Sequence, residues 1–361
     1  SKYAFDSRLT KMIRDLAPRF DNRLFLSATP HNGHSNSFSA LLELLDPQRF
    51  TRGVRPSRQA LDTVMVRRLK EDLRQLGVDS FPQRKLVQLD VGRADSPEVQ
   101  LSVLLAEYAR LMKPERGRGK LVFVNLQKRL LSSIEAFRRT LEGHAISVAE
   151  GRARTALQLP LAPDADRDDD DEYGADEDDL EESEAAEIDA ASRLLQSPEG
   201  RARDLLAQMR SLAAQHATGP DAKLTALVDW IREHQCPGVR IGGAEGKRAQ
   251  LEWTDRRVLI FTEYGDTKRY LAQLLGAAVD GSRLGDERIL QFHGGMSDDQ
   301  REEVQRAFNS RPEEHQVRIL VATDAAREGV NLQGHCADLF HFDVPWNPNR
   351  MEQRNGRIDR T

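Results

Sequence analysis

Cysteine is nearly absent from this chain: only Cys236 and Cys336 occur, far apart in sequence and in no Cys-x-x-Cys or Cys/His ligand spacing. That pattern excludes a disulfide scaffold and a zinc site, and both residues read as reduced thiols. His31 and His34 have no third ligand nearby, so no metal site is expected. No stretch reaches the roughly 18 consecutive apolar residues that a membrane helix needs. The N-terminus also lacks the charged-then-apolar order of a secretory signal. A membrane location and export are therefore not indicated, and the cytoplasm is the expected compartment.

What is present is an ordinary core supply. Of 361 residues 39% are hydrophobic, enough for two domains. The net charge of -5 hides an uneven distribution. Between Asp164 and Glu187 stand 15 carboxylates against Arg167 alone, so the rest of the chain is basic by about +9. A basic body suits a polyanionic partner. The acidic run itself has little apolar content and repels itself, and is expected to be disordered, as a flexible insertion open to a protein partner.

Along the chain, Asn22 to Ala28 reads as a short apolar strand closed by Thr29-Pro30. Helical spacing follows at Ser37 to Leu45 and at Asp62 to Leu76, the latter carrying Arg67, Arg68 and Lys70 on its polar positions. Gln83 to Val91 is expected to be extended, Ser96 to Leu111 a helix begun by a Ser-Pro cap, and Leu121 to Leu141 one long helix after a loop. Ser192 to Ala214 and Asp221 to His234 complete a mainly helical middle.

The last third changes character. Arg257 to Thr262, Ile289 to His293, Val317 to Thr323 and Asp338 to Val344 are short runs rich in Val, Ile, Leu and Phe, separated by helical stretches at Thr267 to Leu275 and Ser297 to Phe308. Alternating strand and helix predicts an α/β fold with a parallel sheet covered on both faces. In such sheets ligands bind beyond the carboxyl ends of the strands. Thr262, His293-Gly294-Gly295 and Thr323-Asp324 all stand at those ends. Glycine lets backbone approach a ligand, and a capped helix start such as Ser297 attracts phosphate. The loop after the third strand can touch a nucleic-acid phosphate with Thr323 and a nucleotide with Gly329 and Asn331. Met351 to Arg360 then places Arg354, Arg357 and Arg360 at helical spacing, and the planar guanidinium suits phosphate.

These blocks, in this order, resemble superfamily-two helicases. Gln353, Gly356, Arg357 and Arg360 resemble motif VI, Thr323 to Leu332 motif V, Phe261 to Tyr264 motif IV, and Leu26-Ser-Ala-Thr-Pro-His-Asn-Gly33 motif III in its Swi/Snf form. The chain is similar to bacterial Swi/Snf-type helicase-like ATPases, including the helicase of DISARM anti-phage systems. That resemblance implies a RecA-like parallel sheet lobe over residues 221–361, a largely helical insertion over 61–220 and the tail of a first RecA-like lobe over 1–60. It also implies roles. Arg357 and Arg360 are fingers on ATP phosphates; Gly329, Asn331, Gln353 and Arg354 contact ATP. Ser27, Thr29 and Asp324 couple the sites, while Thr262, His293, Gly294 and Thr323 bind nucleic acid.

A complete motor also needs a Gly-x-x-x-x-Gly-Lys-Ser/Thr loop and an Asp-Glu pair closing an apolar strand to hold Mg2+. The chain contains neither; Gly117-Arg-Gly-Lys120 is followed by Leu121. It is therefore expected to be the C-terminal fragment of an ATP- and Mg2+-dependent enzyme, inactive alone, acting on double-stranded DNA. A non-catalytic interaction module and a strand-separating helicase of a restriction or defence system remain open.

Overall fold

The computed structural model describes residues 8–26, 35–66, 83–112, 118–150, 177–324 and 331–358. It divides into two compact units. One comprises residues 1–82, 161–174 and 346–352, and the other 83–160, 175–345 and 353–361.

In the first unit α1 (Arg8–Leu16) runs into a short 3-10 turn, Ala17–Arg19, followed later by α2 (Ser35–Leu45) and α3 (Arg58–Val64). Arg23 ties this unit together: its Nε donates to Ala17 O at 2.8 Å and its Nη1 to Leu44 O at 3.0 Å, satisfying carbonyls at helix ends. The strand expected from Asn22 does not form in its described part. Residues 23–26 are irregular, with Leu24 and Leu26 exposed, because a strand needs a ladder partner and none is present among the described residues. The first residues of the helix expected over Asp62 to Leu76 close an earlier helix, α3, which is capped by Ser57 and ends at Val64 with Met65 extended; residues 67–76 lie outside the described residues. Arg67, Arg68 and Lys70 lie outside the described residues.

The second unit opens on residues 83–91, which form no helix and pair in no ladder among the described residues. A helical bundle follows: α4 (Pro97–Met112), α5 (Arg118–Ser132), α6 (Ile134–Glu150), α7 (Glu177–Arg193) and α8 (Gly200–His216). Their apolar faces meet in one core around Leu101, Tyr108, Leu126, Phe137, Leu141, Leu205 and Met209. Three expectations are corrected here. The single helix across Leu121 to Leu141 is two, because Ser133 turns its hydroxyl to accept Ala136 N–H at 3.1 Å and so caps a new helix. The helix expected from Ser192 starts at Gly200, since Ser197-Pro198 cannot continue α7. The acidic run is helical from Glu177 onward. Glu and Ala are good helix formers, Ile188 and Ala191 bury in the bundle core, and Glu184 accepts from Arg129 Nη2 at 2.7 Å.

His144 stands at the bundle centre between Tyr108 Oη, 3.0 Å from Nε2, and Ser192 Oγ, 2.8 Å from Nδ1. Burial pushes the imidazole down to about 4 from its ordinary 6.5. Protonation therefore favours the unfolded chain. The stability His144 contributes is complete above pH 6.5, drains as pH falls towards 4, and totals about 3 kcal/mol. Urea unfolding between pH 7.5 and 4.5 is expected to show that loss in the parent and a flatter profile in His144→Gln; parallel profiles would refute the assignment.

After the bundle, α9 (Ala222–His234) is capped by Asp221, whose Oδ1 accepts Leu224 N–H at 2.7 Å. Four parallel strands follow, β1 (Val258–Thr262), β2 (Ile289–Phe292), β3 (Ile319–Thr323) and β4 (Asp338–His341), in the order β2-β3-β1-β4. Helices α10 (Gly265–Val279) and α11 (Asp298–Asn309) connect them, and α12 (Pro348–Asn355) closes the chain. Alternation within the strands feeds two cores. Val258, Ile260, Ile319 and Val321 pack with Leu227, Ile231, Leu271 and Leu275, while Leu259, Phe261, Leu320 and Ala322 pack with Val304 and Phe308. This is the RecA-like α/β lobe expected from the sequence.

The amino ends of the strands are closed by arginines. Arg257 Nη1 donates to Phe308 O and Ser310 O at 2.5 and 2.6 Å, Arg288 Nη1 to Gln316 O at 2.7 Å, and Arg318 Nε to Thr254 O at 2.7 Å. Burial lowers all three, Arg288 to about 10. With that end occupied by its own side chains, the carboxyl end is the rim left for a ligand.

Candidate functional site

Parallel pairing brings the ends of β1 and β3 side by side, with Thr262 opposite Thr323 in register. Just past the strands come Asp324 and Asp343, both buried. Arg354 on α12 reaches between them and is 0% exposed. Its Nε donates to Asp324 Oδ1 at 2.5 Å, its Nη1 to Asp343 O at 2.7 Å and its Nη2 to Asp343 Oδ1 at 3.3 Å. The guanidinium carbon lies 5.5 Å from the centre of the Phe261 ring. Burial acts to lower its pKa, but the two carboxylates prevail and hold it above the ordinary arginine value.

Asp343 is the hub of this rim. Its Oδ2 accepts from Thr262 Oγ1 and from Ser132 Oγ, each at 2.6 Å, and its Oδ1 accepts Glu263 N–H at 2.8 Å. Lys223, at the start of α9, donates to Leu131 O at 2.6 Å and Ser132 O at 2.5 Å, the carboxyl end of α5, and to Phe342 O at 3.2 Å. An ammonium suits a helix carboxyl end; burial nevertheless pulls its pKa below the usual lysine range.

The arginines therefore divide their roles. The helix expected to run through Arg360 stops at Asn355, and Gly356-Arg357-Ile358 forms a turn in which Arg357 N–H donates to Arg354 O at 3.1 Å. Arg354 points inward as a clamp, so the phosphate contact expected of it does not match its place. Arg357 lies at the rim, its carbonyl accepting Leu332 N–H at 3.2 Å, and is buried in this arrangement. Arg360 lies outside the described residues.

Other expected residues are distributed similarly. Thr262 and Thr323 are buried at the strand ends, and Thr262 spends its hydroxyl proton on Asp343, so it is a brace for the rim and presents no surface to a nucleic acid. Asp324, expected to couple the sites, is buried and accepts from Arg354 Nε at 2.5 Å. His293 and Gly294 are half-buried at the end of β2, where Arg301 Nη2 donates to Gly294 O. Ser297 and Gln300 form the expected capping box on α11. Asn331 is exposed and Gln353 half-buried. Ser27, Thr29 and Gly329 lie outside the described residues. Sequence reasoning missed Asp343, Ser132 and Lys223; an Asp ending the fourth apolar run was a visible signal, whereas nothing local marked the other two.

Among the described residues no helix is long and apolar enough to cross a membrane, and no group of three His, Cys, Asp or Glu side chains could hold a metal.

Residues 249–361 match the family described as the helicase conserved C-terminal domain. Among curated proteins, the "Uncharacterized ATP-dependent helicase YqhH" of Bacillus subtilis (strain 168) is 37% identical over 106 residues, 29% of this chain and 17% of that protein. RNA polymerase-associated protein RapA of Proteus mirabilis (strain HI4320) is 25% identical over 367 residues, 98% of this chain and 32% of that protein. The chain thus spans no more than about a third of the relatives it matches. Among solved structures, the C-terminal part of the Fun30 ATPase domain aligns over 73% of this chain and 75% of its own, at 15% identity and a TM-score of 0.34. Residues 249–361 thus carry a helicase conserved C-terminal domain, and the chain is similar to proteins of the bacterial ATP-dependent helicase kind.

Proposed function

We propose that this chain supplies the C-terminal ATPase lobe of a nucleic-acid-dependent motor, with double-stranded DNA as its track. The observation that carries the reading is the clamp Asp324–Arg354–Asp343, which fixes the end of α12, from Gln353 on, at the carboxyl ends of parallel strands, where the Arg357 turn meets Leu332. Ligands of such sheets bind at that rim. Arg357 and Arg360 are the fingers in this reading: their guanidiniums offset charge that develops on transferred phosphoryl oxygens. Gln353 and Asn331 contact the nucleotide in this reading, and Gly329 shares that role. His293 and Gly294, at the end of β2, take the nucleic-acid backbone; Ser27, Thr29 and Asp324 couple the two events.

ATP fits the chemistry of this rim as a polyanion meeting arginines. Mg2+ carried with ATP would, when bound, supply polarisation of its phosphates. The described residues contribute orientation and positive charge.

Contacts of this kind go to phosphates, so binding is expected to tolerate sequence and to weaken steeply with salt. The test is phosphate release by the full-length polypeptide carrying this chain, with and without duplex DNA, across a salt series. Stimulation by duplex that fades with salt supports the proposal. Hydrolysis indifferent to every nucleic acid, or none at all, would refute it. Displacement of a third strand from intact duplex, without displacement of a labelled duplex strand, would assign translocation over strand separation.

A further inference from the structure

The break between α5 and α6 places two serines of the helical bundle directly on the functional rim, and their hydroxyl protons have one consistent arrangement. Ser132 Oγ is 2.6 Å from Asp343 Oδ2, 2.7 Å from Thr267 Oγ1 and Ser133 Oγ is 2.8 Å from that same Thr267 oxygen. A carboxylate only accepts, so Ser132 and Thr262 both give their single protons to Asp343. Ser132 must then accept from Thr267, and Thr267 from Ser133. Ser133 in turn accepts Ala136 N–H at 3.1 Å, the first turn of α6. The result is a directed chain from the α6 amino end through three hydroxyls to the Asp343 carboxylate, and the four side chains from Ser133 to Asp343 are all buried. Hydrogen bonds aligned in this way strengthen one another, and in a buried setting each missing link leaves a polar atom unsatisfied.

From this we infer that Ser132 is a positioning residue for the arginine-bearing turn. By fixing the rotamer of Asp343 it fixes the carboxylate that Arg354 Nη2 meets, and through Arg354 the turn that carries Arg357. Lys223 fastens the same break to Phe342, the residue before Asp343, so the bundle holds the hub from two directions. The helical insertion thereby acts on the rim: a shift of the α5–α6 break changes the seating of Asp343 and with it the presentation of Arg357. The inference rests on the proposal that this rim faces ATP phosphates.

Two readouts on the full-length polypeptide test it. Ser132→Ala is expected to lower kcat for duplex-stimulated hydrolysis about tenfold, the size of one lost hydrogen bond to a charged group, while KM for ATP and Kd for duplex stay within twofold of the parent. Amides of residues 353–358 are expected to exchange with deuterium about tenfold faster, with those of α8 unchanged. Ser132→Thr, which keeps the hydroxyl, is expected to recover both. If Ser132→Ala fails to fold, Thr267→Val interrupts the same chain one link earlier and is read identically. An unchanged kcat in a folded variant, or equal acceleration of exchange throughout the bundle, overturns the positioning role. Failure of the functional reading shows itself separately, as Arg357→Ala with undiminished hydrolysis; the exchange of 353–358 still decides what Ser132 holds.

Discussion

Arg354→Ala is expected to destabilise the sheet lobe by about 3–5 kcal/mol, the usual consequence of removing one partner from a buried ion pair. The loss is large because two carboxylates depend on one side chain. Asp324 and Asp343 are both buried, and both point an oxygen at this guanidinium. Without it, like charges face each other in a poorly solvated place, and Asp343 O loses a donor as well. Arg354→Lys is expected to recover less than half of the loss, since an ammonium cannot span two acids and a carbonyl with a fixed fork. Thermal unfolding checks both variants: a fall on the order of 10 °C is expected for the alanine form. A melting temperature within a degree or two of the parent would mean that the clamp is not what holds α12 to the strands.

Arg357→Ala is expected to do the opposite. Its main chain, not its guanidinium, makes the contact that joins the turn to Leu332. Arg357 is itself buried, so the fold should lose some stability, but less than with Arg354→Ala, where two buried acids lose a shared partner; duplex binding should be largely intact. Turnover of ATP by the full-length polypeptide should fall by about 10³-fold or more, the range found when an arginine finger is supplied or removed. Steady-state phosphate release, compared with duplex binding and melting temperature on the same preparation, separates these effects. Undiminished turnover refutes the finger assignment. Equal loss of stability and turnover would instead make Arg357 a second clamp.

The contrast between these two arginines shows where sequence reading stops. Three arginines at regular spacing implied one face and one task. Gly356 ends the helix between them, and one arginine finds two acids from loops that only the sheet order brings together. Spacing carries helical phase, but a buried partner on another strand is invisible to it. The same limit applied to Thr262. Its position at a strand end was legible, but the acceptor that consumes its proton is Asp343, three strands further along the chain.

The middle of the chain illustrates a second limit. Apolar periodicity found the bundle helices other than α7, yet ran α5 and α6 together because it does not register a serine that turns to cap its own backbone. Composition made the acidic run disordered, whereas Ile188, Ala191 and the Arg129–Glu184 pair give its C-terminal part a packing surface. Two well-placed apolar residues and one counter-ion outweigh local repulsion once a bundle is there to receive them.

By itself the sequence determined the lobe. Val, Ile, Leu and Phe runs separated by amphipathic helices admit a parallel sheet buried on both faces, and place the chemistry at its carboxyl ends. The order of its motifs also pointed to the helicase conserved C-terminal domain that residues 249–361 match. Tertiary structure alone decided which polar side chains meet there: Asp343 with Ser132 and Arg354, Lys223 with the end of α5. Those choices depend on distances between segments far apart in the chain. Burial then makes each unsatisfied polar atom costly enough that one arrangement prevails.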